Sequence, residues 1–208
     1  MFFDIVFPKS NEEEYIKIAG KLDIEGVVFA YAFVDRKIIE SAKKRVEQLQ
    51  KTTKIKLAVM FEASGNKIYK VHDNKELAIA KGSESSRDVI ARLQPDVVYD
   101  LELSRSKDFA KYRNSGLDKA TCQFAAKNNT IVTFSFSNLL NSENPKLLGR
   151  MVQNIKMCKK YKVKTAVASL TTNPLEMRSP HDLKSLLLSL GMYTANAKKS
   201  LETVSELL

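Results

Sequence analysis

Seven short apolar runs recur along the chain: FFDIVF (2–7), GVVFAYA (26–32), IKLAVMFEA (55–63), ELAIA (76–80), VVYDLEL (97–103), IVTFSFS (131–137) and KTAVASL (164–170). Most lack strict alternation, as strands buried on both faces of a parallel sheet do. Helical patterns separate them. SNEEEYIKIAG (10–20) opens with Ser10 as a candidate N-cap and Glu13 three residues later, the spacing of a capping box. DRKIIESAKKRVEQLQK (35–51) repeats Ile38, Ile39, Ala42, Val46 and Leu49 at helical spacing, and SSRDVIARLQ (85–94) is stopped by Pro95. The segment 66–76 reads as irregular. Strand–helix alternation throughout predicts an α/β fold with right-handed crossovers, either a small (β/α) barrel or an open doubly wound sheet. No GxGxxG or Walker-type glycine loop follows any strand, which weakens nucleotide-binding versions of the open sheet.

With 208 residues, 44% of them hydrophobic, one domain over 1–208 is the default and two small ones the alternative. No linker or repeat divides the chain. No apolar run reaches the ~18 residues that span a bilayer, and MFFDIVFP lacks the basic start of a signal peptide. A soluble protein of the cytoplasm is expected. Cys122 and Cys158 lie on or beside apolar helix stripes and read as small buried hydrophobes, not as a disulfide framework.

The net charge of +10 is concentrated. Residues 1–104 carry 17 Lys/Arg and 17 Asp/Glu, and 185–208 carry two of each, whereas 105–184 carry 15 basic residues against five acidic. Confinement to one part of the fold points to a surface that meets a polyanion. Within it, Leu117, Ala120, Thr121, Phe124 and Ala125 form one helical stripe. Leu148, Met151, Val152, Ile155 and Cys158 form the next, with Lys146, Arg150, Gln153, Met157 and Lys160 on its outward side.

Constellations for chemistry are thin. His72 and His181 have no metal-ligand spacing, and Asp4, Glu62, Asp100 and Glu102, on or near strands, suit ion pairing better than an all-carboxylate magnesium site. No GxSxG elbow exists; Ser135 and Ser137 at a strand end read as caps for backbone groups. The loops say more. RSKDFAKYRNSG (105–116), NLLNSENPK (138–146) and TTNPLEMRSPHD (171–182) follow the last three strands and would share one face of a barrel. Arg113 and Arg178 each precede a helix, and Ser179-Pro180-His181-Asp182 reads as N-cap, Pro at the first helical position and an acidic third position. A guanidinium beside free helix N–H groups suits a phosphate. Gly116 tolerates positive φ in the turn before the first of these helices. Arg105, Lys107, Lys111 and Arg113 supply charge at the rim. Fifteen basic residues exceed the need of one small phosphate and favour a nucleic-acid backbone; neither a GXXG clamp nor an RNP1 pattern indicates base readout.

RNSGLDKATCQFAAKNNTIVTFSFSNLL, LGRMVQNIKMCKKYKVKTAVAS and EMRSPHDLKSLLLSLGMYTANAKKSL together resemble archaeal ribonuclease P protein component three and its eukaryotic thirty-kilodalton counterpart. The resemblance is clearest between about 112 and 201. It implies a distorted, TIM-like (β/α) barrel of about seven strands, related to the polymerase-and-histidinol-phosphatase enzymes. It implies an accessory protein that binds the ribonuclease P RNA and supports removal of the 5′ leader from precursor tRNA. Hydrolysis would belong to that RNA and its bound Mg²⁺, with no cofactor or metal on the protein. A small α/β protein, component two, is the implied protein partner; precursor tRNA is met indirectly, and no membrane is involved. Where the related metalloenzymes carry a His-rich motif, this chain has Asp4-Ile5-Val6. Motif by motif, Arg113, Arg150, Asn154, Arg178, His181 and Lys184 are the candidates for RNA contact. Lys111, Lys119, Lys159, Lys160 and Arg105 join them on charge. The alternative is a barrel-fold, metal-dependent phosphoesterase.

Overall fold

Seven strands lie in one parallel sheet in sequence order: β1 (Phe3–Val6), β2 (Gly26–Ala32), β3 (Lys56–Glu62), β4 (Ala78–Lys81), β5 (Val97–Tyr99), β6 (Ile131–Ser135) and β7 (Thr165–Ala168). The computed structural model describes residues 1–208. Sequential order in an all-parallel sheet curls it into a barrel, and its edges meet. Leu170 N–H donates to Ile5 O and Phe7 N–H to Thr171 O, both at 2.9 Å. One residue before them on each strand, the Ser169 N–H is taken by the Asp4 carboxylate at 2.6 Å. A side chain completes this seam where the other strands use carbonyls. All seven predicted strands are present, and the barrel, not the open sheet, is the fold.

Alternate residues divide the core in two. Ile5, Val28, Met60, Ile79, Val97, Ile131 and Ala166 fill the barrel interior, while Val27, Phe29, Phe61, Val98, Phe134 and Val167 face the helices. The outer layer comprises α1 (Glu12–Lys21), α2 (Arg36–Gln50), α3 (Lys67–Asp73), α4 (Ser86–Asp88, continued by a π-helical turn Val89–Leu93), α5 (Lys119–Asn128), α6 (Ser137–Asn141), α7 (Leu147–Tyr161), α8 (Pro180–Ser189) and α9 (Thr194–Leu207). α9 packs on α8, β7 and β1, with Val204 buried in the interior set, so the C-terminal segment covers the seam. No helix is long and apolar enough to cross a membrane.

Several local expectations need correction. The capping box is not made: Ser10 sits at φ 62°, Asn11 holds the cap position, and its side chain accepts from Lys9 N–H. Glu13 instead pairs with Arg45 at 3.1 Å. Residues 66–76 contain α3, whose single buried pair Ile68 and Val71 is too short a pattern to stand out. β5 ends at Tyr99, because Asp100 takes a left-handed φ of 59° and starts a 3₁₀ turn, Leu101–Leu103. That turn seats Leu101 in the outer core.

Candidate nucleic-acid interface

The loops after β5, β6 and β7 share the C-terminal mouth of the barrel and are tied to one another. Asn138 donates to Asp100, Asn141 to Glu176 at 3.2 Å, and the Arg178 guanidinium lies 5.1 Å from the Phe136 ring. Ser137 Oγ donates to Leu170 O and Ser135 Oγ accepts from Asn138 N–H, so both serines at the end of β6 do satisfy backbone.

The longest of these loops, 104–118, is held from below by α7. Arg150 is fully buried. Its Nη1 donates to Glu102 O at 2.8 Å and to Arg105 O at 2.6 Å; its Nε donates to Asp108 Oδ1 at 2.8 Å. One turn on, Asn154 Nδ2 donates to Glu102 Oε1 at 2.8 Å and to Ser115 O at 2.9 Å. Gln153 Nε2 reaches Arg113 O and Ser115 Oγ, both at 2.9 Å. The GRMVQN motif is therefore a clamp that grips both ends of the loop. This corrects the outward placement of Arg150. The buried stripe of α7 is Leu147, Arg150, Met151, Asn154, Ile155 and Cys158, and Leu148 is 51% exposed. Polar residues face inward there because the surface they meet is loop backbone, whose carbonyls need donors. Both Arg150 and Asn154 spend their donors internally and are closed to RNA.

Asp108 is held below the usual carboxylate range by the Asn114 N–H and by Arg150. Burial pushes Glu102 up to about 7, against the pull of its bond from Asn154. Gly116 stands at φ 81°, and a Cβ there would collide with Leu101 O. From the other side a Cβ on Gly82 would come within 2.6 Å of Asp100 O. The chain at Asp100–Leu101 thus runs between two glycines, as close backbone contact requires.

With its carbonyl clamped, Arg113 is exposed, its guanidinium lying against α7 over Gly149; a Cβ on that glycine would be 2.5 Å from Arg113 Nε. It does not lie at the start of α5, which Asp118 caps by accepting from Thr121 N–H at 2.7 Å. Arg178 is half-buried and folds back, donating to Met177 O at 2.8 Å and Leu175 O at 3.2 Å. Ser179 caps α8 on Asp182 N–H as the motif predicts, with Pro180 following, but the Asp182 carboxylate also bonds Ser179. Asp118 at the cap of α5 and Asp182 in the first turn of α8 disfavour a phosphate at either helix start. The expected cradle of guanidinium plus free amides is not built.

The other candidates separate into groups. Lys111 and Lys119 are exposed near Arg113; Arg105 is partly drawn to Glu84, at 3.3 Å. His181 is exposed and Lys184 half-exposed on α8. Lys159 and Lys160 lie near the far end of α7, about 14 Å along the axis from Arg150, each over a tyrosine ring. Sequence reasoning missed Phe109 and Tyr112. Their rings pack tilted with centroids 4.5 Å apart and are 52% and 62% exposed beside Lys107 and Lys111, in a cleft of about 590 Å³ that Arg87 and Arg113 also line. The signal was FAKY, two aromatics three apart among lysines.

The strand carboxylates are all engaged: Asp4 at the seam, Glu62 with Tyr99, Asp100 with Asn138 and Lys81, and Glu102 with Asn154. No three His, Cys or carboxylate side chains gather as metal ligands would. Both cysteines are buried, and burial pushes the Cys122 thiol up to about 12.

Comparison with known proteins bears on the fold and the family. A Methanocaldococcus jannaschii protein, Ribonuclease P protein component 3, is 25% identical over 93% of this chain and 84% of its own length. A Methanococcus maripaludis protein of the same description is 25% identical over 74% of this chain and 66% of its own. A chain in the cryo-EM structure of archaeal Ribonuclease P with mature tRNA superposes with a TM-score of 0.82 at 22% identity, covering 99% of this chain and 89% of that one. A crystal structure of an uncharacterized protein shares the fold more loosely, with a TM-score of 0.54 at 10% identity over 99% of this chain. Residues 1–208 match the family described as RNase P subunit p30, and the chain belongs to that family of ribonuclease P protein subunits.

Proposed function

We propose that this subunit binds the ribonuclease P RNA through the loop 104–118 and so supports removal of the 5′ leader from precursor tRNA. The observation that carries the reading is the clamp. Two buried polar side chains of α7, with Gln153 beside them, fix a loop whose outward residues are Lys107, Lys111 and Arg113, and none of these three is in an ion pair. Cations held in place without carboxylate partners attract phosphates at little ordering cost. Arg and Lys displace the counterions of the RNA backbone and stabilise a compact RNA fold, on which bound Mg²⁺ would supply the hydrolytic chemistry. Arg178, whose Nη1 alone is spent on backbone, extends the contact with His181, Lys184 and Lys119 along the exposed flanks of α8 and α5, beside rather than at their capped starts. Component two is the protein partner, and precursor tRNA is met through the RNA.

Precursor-tRNA cleavage tests the reading, with catalytic RNA plus partner protein, the same with this chain added, and this chain alone. Stimulation by the added chain at reduced magnesium is expected. Cleavage by the protein alone would overturn it.

A further inference from the structure

A second basic site lies at the opposite end of the barrel. The end of α7, the turn into β7 and the first turns of α9 enclose a groove of about 440 Å³. Lys156, Lys159, Lys162, Lys164 and Lys199 line it, and no Asp or Glu does. All five are exposed, and none forms an ion pair within the chain. Lys162 is placed by a left-handed turn at φ 56° that ends α7. Lys159 is fixed by its ammonium 3.6 Å from the Tyr193 ring centroid. Five like charges around one concavity repel one another, and the low-dielectric walls focus their field. The lysines at the end of α7 also complement its dipole, but that effect fades within a turn and does not draw in Lys199 from α9 or Lys164 from the strand start.

We infer that this groove is a separate RNA-backbone site, holding successive phosphates of a strand at the end of the barrel opposite the loop site. It rests on the reading of this chain as an RNA-binding subunit and adds a second contact to it. The groove has no arginine fork for bidentate contact with either a phosphate or a carboxylate, so its five ammonium groups act as point charges spread round one concavity, which suits the repeated charges of a sugar–phosphate chain. The groove is also larger than one phosphate needs and carries more positive charge than one phosphate neutralises.

The test uses the full chain, in vitro-transcribed ribonuclease P RNA, and a salt titration of binding. Three variants are compared with the unaltered protein: Lys162→Gln/Lys199→Gln, Arg113→Ala, and the combination. Loss of two phosphate contacts should lower the slope of log K against log salt by about 1.5, which weakens binding roughly ten-fold at 0.15 M. The effect should add to that of Arg113→Ala. If the lysine pair changes neither slope nor affinity while Arg113→Ala weakens binding, the groove assignment falls and the loop site stands. If the unaltered chain does not bind the RNA at all, the underlying reading falls. A decaglutamate peptide that displaces the RNA at equal charge concentration, in a manner lost with Lys162 and Lys199, would overturn the RNA assignment in favour of an acidic protein.

Discussion

Arg150→Ala separates an anchoring arginine from an RNA-contacting one. Removing the side chain leaves Glu102 O and Arg105 O inside the protein without their donor. A hydrogen bond from a charged donor contributes about 1.5–3 kcal/mol, so two are worth roughly 3–6 kcal/mol. Relief from burying the guanidinium offsets part of this, leaving a net loss of about 3–4 kcal/mol. In a chain of this length each kcal/mol lowers the Tm by about 2–4 °C, so a fall near 10 °C is expected. Thermal unfolding followed by circular dichroism measures it, and hydrogen exchange should show 102–116 opening first. Arg150→Lys keeps the charge but cannot span both carbonyls and Asp108 with one planar fork, so it should recover little. A Tm within about 2 °C of the unaltered protein, with unchanged exchange in the loop and weaker RNA binding, would refute the anchor.

Further outcomes follow from neighbouring residues. Gly149→Ala meets only the mobile end of Arg113, so stability should rise by up to about 1 kcal/mol, as helix propensity predicts. RNA affinity should fall as that guanidinium is displaced, which a filter-binding titration reads. Gly116→Ala meets backbone at positive φ and should lower the Tm by more than Arg113→Ala does. Arg113→Ala and Arg178→Ala should each weaken RNA binding by about 1–3 kcal/mol without unfolding, measured by the same titration. Glu102 is raised from 4.5 to about 7 in the fold, so the folded state holds the proton more tightly. Its contribution is full below about 4.5 and is lost as pH climbs through about 7. Glu102→Gln, which keeps the acceptor for Asn154, should therefore flatten urea stability between those values and gain a few kcal/mol at pH 8.

The sheet was legible because strand residues such as Val27–Phe29 and Ala166–Ala168 are buried whichever way they point, and an unbroken apolar run records that. The α2 face was legible for the complementary reason: Ile39, Ala42, Val46 and Leu49 meet an apolar sheet. α7 was not, because hydrophobic periodicity assumes that buried neighbours are apolar. Arg150 and Asn154 face a loop, where burial demands donors, and the pattern therefore turned the helix outward on its most enclosed side. Ser179 was read correctly since capping is local, whereas Arg113 was placed at a helix start because its true neighbour, Gly149, is distant in sequence and offers no side chain. Lys199 joins the α7 lysines only through the packing of α9 beside β7, a tertiary fact that spacing cannot carry.

The seam has a bearing on how the molecule assembles. Asp4 and Ser169 stand 165 positions apart, and the last helix lies over their junction. Every other strand pairs with a neighbour in sequence, so the sheet can grow in order, one βα unit after another. Its first and last edges stay open until β7 arrives, and ring closure is then the step of greatest loop entropy. Until that moment β1 presents unpaired amides and carbonyls that another chain could take. The carboxylate of Asp4 thus acts late, as the latch on a ring otherwise complete.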